Sequence, residues 1–173
     1  MVYLGNSNPT CSGGFGLQFY YDRFSLNTGF NFRVGNQIVN LARMNVESML
    51  NNNNQSYATT HRWRKNGDER EIPRALNSNG YNSYNSLPSD RYVEDGDYLR
   101  LQYVQLSYDF DPKKIKKYGL RSLKLYASVN NLWCWTKYTG VDPDVSPQGY
   151  GVAVDNARTP RSKSFTASIN VGF

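Results

Sequence analysis

Residues 164–173 read SFTASINVGF, and polar and apolar side chains alternate through the whole stretch. A period of two is typical of a β-strand, because successive side chains point to opposite faces of the sheet. One face of this segment carries Phe165, Ala167, Ile169 and Val171, and the other carries serine, threonine and asparagine. The stretch therefore predicts a strand with one apolar and one polar face.

The same alternation occurs in segments 15–21, 24–34 and 123–135. A fifth segment, 98–110, changes parity, since Leu99 and Leu101 are at odd positions whereas Leu106 and Tyr108 are at even positions. Such a change predicts either a β-bulge near Tyr103 or a strand that leaves the apolar layer, and the sequence leaves both open.

The connections between these segments contain 2, 63, 12 and 29 residues, so short and long connections alternate. This alternation is typical of bacterial outer-membrane barrels, which have short periplasmic turns and long extracellular loops. An antiparallel sheet with one solvated face also shows a period of two, but nothing in it sorts the connections by length. Ten residues span about 33 Å, which a tilt near 45° reduces to roughly the thickness of the apolar band.

We therefore predict an all-β fold, an antiparallel up-and-down segment of a transmembrane β-barrel. Its strands are expected at 15–21, 24–34, 98–110, 123–135 and 165–173, with extracellular loops at 35–97 and 136–164. In the first loop, apolar residues at helical spacing predict a short amphipathic helix over 37–50.

Aromatic residues at the strand ends agree with this interpretation, because barrels carry an aromatic girdle at each membrane interface. With the short turns in the periplasm, Trp133 and Trp135 are expected at the outer rim. The inner rim is expected to contain Tyr21, Phe24, Tyr108, Phe110 and Phe173.

Composition narrows the classes of function. The 173 residues carry a net charge of +6, with 39% hydrophobic residues and no apolar run near the roughly 18 residues of a spanning helix. His61 is the only histidine, which argues against a histidine zinc site or a catalytic triad. Cys11 and Cys134 are not spaced as metal ligands would be. The basic residues lie in turns and loops rather than in one stripe, which argues against a nucleic-acid-binding surface. We expect neither an enzyme nor a nucleic-acid-binding protein.

Several motifs together resemble the C-terminal region of the SusC/RagA-type TonB-dependent outer-membrane transporters of Bacteroidetes. They are SDRYVEDGDYLRL at 89–101, SVNNLW at 128–133 and TKYTGVDPDV at 136–145. LGNSNP at 4–9, GGFG at 13–16, and Arg62-Trp63 followed by Ile72-Pro73-Arg74 resemble the same family further upstream.

The resemblance implies a slice of a roughly 22-stranded plugged barrel, since five strands are too few to close. It implies TonB-dependent import of glycans, oligosaccharides or peptides across the outer membrane of a Bacteroidetes-like cell, without a cofactor. The implied partners are the rest of the barrel and plug, a SusD-like surface lipoprotein, outer-membrane lipid and, through the missing N-terminal part, the TonB complex. Met1 is then expected to be an internal methionine, and the segment alone to be inactive.

Candidate site residues fall into two sets. Polar residues expected to face the lumen, as a solute path or as hydrated wall, are Gln18, Asn27, Asn31, Arg33, Lys124, Ser128 and Asn130. Loop aromatics expected to meet a ligand or the lipoprotein lid, or to pack within the loops, are Trp63, Tyr81, Tyr84 and Tyr92.

Charged clusters are less specific. Acidic groups at 90–97 and at Asp142, Asp144 and Asp155 suggest Ca²⁺, but their spacing does not fit an EF-hand, so no metal site is predicted. Lys113, Lys114, Lys116, Lys117 and Arg121 crowd one short turn, which is either solvated or in contact with anionic headgroups.

Two other functions remain open. The chain could be a stand-alone carbohydrate-binding β-protein of the cell surface, which would be soluble without detergent. It could also be a small barrel that closes by oligomerisation.

Overall fold

The computed structural model describes residues 4–49, 54–75, 87–147 and 151–173. The chain divides into two units, each formed by three separate stretches. The sheet unit contains Pro9–Gly35, Asp97–Lys137 and Pro160–Phe173. The loop unit contains Met1–Asn8, Asn36–Gly96 and Tyr138–Thr159.

The sheet unit is a five-stranded antiparallel sheet. Its strands are β1 (Cys11–Tyr21), β2 (Phe24–Val34), β5 (Tyr98–Asp109), β6 (Ser122–Thr136) and β8 (Ser164–Gly172). They lie side by side in chain order, β1-β2-β5-β6-β8, so each long or short connection joins neighbouring strands. This is the predicted up-and-down antiparallel topology, and β1 begins four residues earlier than the alternation in the sequence indicated.

The parity change in β5 is a β-bulge. Between Leu101, which pairs with Trp133, and Tyr103, which pairs with Asn130, Gln102 stands opposite two residues of β6. One of those two, Asn131, has a left-handed backbone with φ 52°, a conformation that asparagine tolerates better than most residues. On the other side of β5, Gly29 and Phe30 of β2 pair with Tyr103 and Leu101, so Gln102 is an extra residue there and places Leu99 and Leu101 on the same face as Leu106 and Tyr108.

A short helical segment connects β5 to β6. It consists of α2 (Pro112–Ile115) and one 3-10 turn, Lys116–Tyr118, and it ends at Gly119 with φ 79°. The Asp111 side chain accepts a hydrogen bond from the backbone N–H of Lys113 and so caps the first turn. Ile115 is the buried side chain that holds this segment against the sheet unit.

The loop unit contains a small sheet of its own. Its strands are β3 (Gln37–Asn40), β4 (Val93–Asp95) and β7 (Val154–Asp155), in the order β4-β3-β7. The loop unit also contains a cluster of buried apolar side chains, formed by Ile38, Tyr138, Val145 and Ala153.

The helix predicted over 37–50 is shorter than expected. Residues 37–40 form β3, and α1 covers only Leu41–Glu47. The Asn40 side chain accepts a hydrogen bond from the backbone N–H of Arg43 at 2.8 Å, which fixes the helix start, and Leu50 lies outside the described residues. Within the described ranges, no helix is both long and apolar enough to cross a membrane.

Candidate functional site

The polar face of the sheet carries the residues predicted to face a lumen. The register places Gln18, Asn27, Gln105, Ser128 and Thr166 opposite one another in succession, so one polar row crosses all five strands. The other residues predicted for this face also lie on it, because each is an even number of positions from the member of the row on its own strand. They are Asn31 and Arg33 on β2, and Lys124 and Asn130 on β6.

Hydrogen bonds and ion pairs connect this face across strands. Ser25 and Ser107 hydrogen-bond through their hydroxyls, and the Asn130 amide donates to the Ser164 hydroxyl at 3.0 Å. Lys124 Nζ lies 3.1 Å from Asp109 Oδ2. Such contacts stabilise a wall that meets water or a polar filling rather than an apolar core.

A basic-aromatic group lies at the end of this face where the long connections begin. Tyr98 is buried, and the guanidinium carbons of Arg33 and Arg100 lie 5.7 Å and 5.5 Å from its ring centroid. Cation–π contacts of this kind position the two arginines on the polar face. The sequence had identified Arg33 but not Arg100.

The opposite face is apolar and exposed. Phe19, Leu106, Ile169 and Phe165 are between 46% and 75% exposed, far more than side chains in the core of a soluble protein. The rings of Phe24 and Tyr108 lie 4.6 Å apart at one end, and Tyr108 contacts Phe110 edge-on at 4.8 Å. Trp133 and Trp135, paired with Leu101 and Leu99, lie toward the other end. The remaining residues predicted for the girdle, Tyr21 and Phe173, are more than 80% exposed.

In the loop unit, the carboxylate of Glu94 is the centre of a polar network. It accepts hydrogen bonds from Asn40 Nδ2 at 3.1 Å, from the backbone N–H of Thr139 at 2.9 Å and from the Thr139 hydroxyl at 2.7 Å. Arg43 adds an ion pair at 3.1 Å. Burial raises the pKa of Glu94, but the hydrogen bonds from Thr139, Arg43 and Asn40 outweigh it and hold this pKa below its usual value.

The network continues through alternating charges. Arg43 Nε lies 3.0 Å from Glu47 Oε1, and Glu47 Oε2 lies 2.8 Å from Arg91 Nη2. Arg91 also donates to the backbone carbonyl of Glu71 at 2.9 Å. The network therefore joins α1 and β4 with the segments around residues 71 and 139, which are far apart in the sequence.

A cavity of about 450 Å³ lies beside this network, within the loop unit. Asn40, Arg43 and Asp155 supply polar groups to its wall, while Val46 and Val141 supply apolar surface. Asp155 accepts a hydrogen bond from the Tyr138 hydroxyl at 2.7 Å, and burial together with this bond raises the pKa of Tyr138. The cavity is large enough for a small polar molecule, but of its charged lining groups Arg43 is already paired with Glu47, and Asp155 is bonded to Tyr138.

The predicted loop aromatics have different positions. Trp63 is half-buried, with the Arg74 guanidinium carbon 5.8 Å from its ring. Tyr92 is only 5% exposed, so it packs inside the loop unit and is not available to a ligand. Tyr81 and Tyr84 lie outside the described residues. An aromatic group that the sequence reasoning missed is Tyr57, which is 80% exposed and contacts the His61 ring edge-on.

Two of the acidic residues in 90–97 bond to groups of the protein itself. Glu94 is bonded as described, and Asp97 accepts a hydrogen bond from the backbone N–H of Gly35 at 2.6 Å. In the part of the chain that the structure describes, no three histidine, cysteine, aspartate or glutamate side chains are grouped as metal ligands would be.

The fold and the two unlike faces define the class, an up-and-down antiparallel sheet of the kind that forms the wall of a β-barrel. The structure superposes on three structures of the RagAB system: the peptide importer in its open-open and closed-closed states, with a TM-score of 0.75 each, and the peptide transporter, with a TM-score of 0.79. Each is 24% identical, and the match covers 96% of this chain but only 17–18% of the other chain.

The chain is homologous to TonB-dependent receptors, and the resemblance to the SusC/RagA type is confirmed. TonB-dependent receptors P39, P3 and P26 of Formosa agariphila are 30%, 26% and 26% identical to it, over 98–99% of its length. The chain spans only 17–18% of the length of these relatives. No family model matches it. These relatives and structural neighbours are receptors and transporters rather than enzymes, as predicted.

Proposed function

We propose that this chain is the C-terminal barrel segment of a TonB-dependent importer in the outer membrane of a Gram-negative cell. The observation that carries the proposal is the pair of unlike sheet faces. An exposed apolar face with aromatic residues at its ends is suited to contact with lipid, and a row of polar residues across all five strands is suited to a water-filled lumen. The remaining barrel strands, the plug and the TonB-contacting segment would belong to the rest of the protein.

The imported solute is an oligosaccharide or a peptide too large for a porin, and a SusD-like surface lipoprotein delivers it. The named function of the RagAB neighbours, peptide import, supports a solute of this size class. The exposed ring of Tyr57 and the half-buried ring of Trp63 in the loop unit support contact with the lipoprotein or the solute, because exposed aromatics beside polar groups are common at binding surfaces.

Uptake by cells tests this proposal. The gene for the full-length protein is deleted and then restored, either intact or without residues 1–173, and uptake of fluorescent oligosaccharides and peptides is compared. We expect the intact gene alone to restore uptake of one of these two solute classes. Uptake that does not depend on the gene would overturn import, whereas a soluble, detergent-free chain that binds oligosaccharide would favour the stand-alone surface protein.

A pull-down from detergent-solubilised outer membranes tests the lipoprotein separately. Tyr57→Ala and Trp63→Ala together are expected to weaken recovery of the co-purifying lipoprotein. Tyr118→Ala serves as the control, because Tyr118 is also an exposed aromatic residue but belongs to the sheet unit. Equal recovery with all variants would remove these aromatics from the contact.

A further inference from the structure

The turn between β5 and β6 concentrates positive charge. Lys113, Lys114, Lys116 and Lys117 lie within five consecutive positions, and all four side chains are exposed. Arg121 follows before β6 begins and is exposed as well. No other part of the described chain places four lysines so close together.

The acidic groups near this turn are paired with other partners. Asp111 Oδ2 lies 2.7 Å from Arg23 Nη2, and Asp109 Oδ2 lies 3.1 Å from Lys124 Nζ. Stretches 22–23 and 109–124 contain seven basic and three acidic side chains, a net charge of +4. The net positive charge of these stretches therefore comes mainly from the four lysines at 113–117, which form no ion pair among the described residues.

The chain on either side of the lysines is aromatic. Phe110 directly precedes the turn and belongs to the ring cluster of Phe24 and Tyr108 on the apolar face. Tyr118 directly follows the lysines, is 71% exposed, and lies with its ring centroid 4.9 Å from Lys117 Nζ. Aromatic rings mark the headgroup level of a bilayer, so the lysines come where lipid phosphates would be.

We propose that the 112–121 turn binds the anionic headgroup of a phospholipid in the inner leaflet of the outer membrane. The inference rests on the proposed function, because it takes the short turns to face the periplasm. Clustered lysines beside a membrane attract anionic headgroups, and the buried Ile115 together with the Arg23–Asp111 pair keeps the turn in place for this contact.

Short-chain lipids test the proposal on the full-length protein in detergent. Dihexanoyl phosphatidylglycerol is titrated by calorimetry against dihexanoyl phosphatidylcholine, which has the same chains and no net charge. We expect tighter binding of the phosphatidylglycerol, with a preference that falls as salt rises. Replacing the four lysines by glutamine (K113Q, K114Q, K116Q, K117Q) should reduce this preference by about tenfold or more.

Two matched variants separate the turn from general charge. K65Q, R70Q, K137Q and R158Q remove the same charge from exposed positions elsewhere and should leave the preference unchanged. Replacing the four lysines by arginine should preserve it. The heat-dependent change of gel mobility reports for every variant whether the barrel is folded, so a failed barrel is distinguished from a failed lipid site.

Three results would overturn the proposal. One is a wild-type protein that does not prefer phosphatidylglycerol at low salt. Another is an equal loss of preference in the two glutamine variants, which would indicate net charge alone. The third is displacement of the lipid by glycerol phosphate at the same concentration, which would indicate a site for a soluble phosphate.

Discussion

At the scale of single residues, Glu94 shows how one carboxylate can join distant parts of a loop unit. Its partners Asn40 and Thr139 are 54 and 45 residues away in the sequence. No spacing rule could have predicted this contact, because it depends on the pairing of β3 with β4. The sequence had assigned Glu94 to an acidic group with possible affinity for cations, and the structure shows instead that the protein itself supplies its partners.

We predict that Glu94→Gln destabilises the loop unit by about 2 kcal/mol, since several hydrogen bonds to a charged acceptor are weakened. Hydrogen exchange in 36–49 and 90–96 of the full-length protein measures the effect. Glu69→Gln is the matched control, because Glu69 is exposed. Similar acceleration of exchange in both variants would contradict the role given to Glu94.

The same carboxylate predicts a pH dependence. Because the pKa of Glu94 is lowered in the folded protein, its stabilising contribution is fully present above the unfolded pKa of about 4.3. The contribution is lost as the pH falls through the lower, folded pKa. We expect the protection of loop-unit amides, relative to their intrinsic exchange rate at each pH, to fall with acid in the wild type and to fall less in Glu94→Gln, and parallel pH profiles of protection would refute this.

Gly29 is a second residue whose identity the structure explains. A side chain at this position would overlap the ring of Tyr103, which lies over the glycine from the neighbouring strand. We predict that Gly29→Ala lowers barrel stability by about 1–3 kcal/mol and that Tyr103→Ala relieves most of this cost. Urea unfolding of the full-length protein in detergent measures both, and an undiminished cost in the double variant would exclude the overlap.

At the scale of the strands, the two faces can be tested by adding charge. Leu125 and Ile169 pair on the apolar face, whereas Ser128 belongs to the polar row. Leu125→Lys or Ile169→Lys in the full-length protein should cost about 2–4 kcal/mol near the bilayer midplane, and Ser128→Lys should be tolerated. The midpoint of unfolding in lipid vesicles provides the measurement, and equal losses at Leu125 and Ser128 would invalidate the assignment of the faces.

The strands were the most predictable part of this protein. Apolar patterning identified all five strands of the sheet, and period-two alternation identified the faces of four, because a membrane wall has two unlike environments. In β5 it gave two alternatives, and only the register distinguished the bulge from a strand that leaves the layer. The helix predicted over 37–50 was longer than the observed one. Asn40 is both the last residue of β3 and the N-cap of α1, and the spacing of apolar residues alone does not reveal a cap.

At the scale of the whole molecule, the order of strands leaves β1 and β8 at the two edges of the sheet. Unpaired backbone groups on these edges are costly in lipid. We predict that residues 1–173 alone form no heat-modifiable barrel in detergent, whereas the full-length protein does. A monodisperse, folded barrel from the short chain would instead favour closure by oligomerisation.

The loop unit was the least predictable part. Its small sheet, its cavity and its salt-bridge network combine segments from both long connections, and nothing local in either connection indicates the other. Motif resemblance identified these segments as a group without indicating their contacts. The polar-face set was easier, because strand parity alone assigns a face to each residue.

The bulge at Gln102 also restricts how the length of these strands can change. Because β5 changes parity only at that residue, removing a residue from the regular part of the strand, such as Val104, would turn Leu99 and Leu101 toward the polar face and Tyr98 and Arg100 toward lipid. Loss of one of the two opposing β6 residues would shift Trp133 and Trp135 in the same way. Single-residue insertions and deletions should therefore be rare within these strands among descendants of this protein, whereas the long connections are free to vary in length.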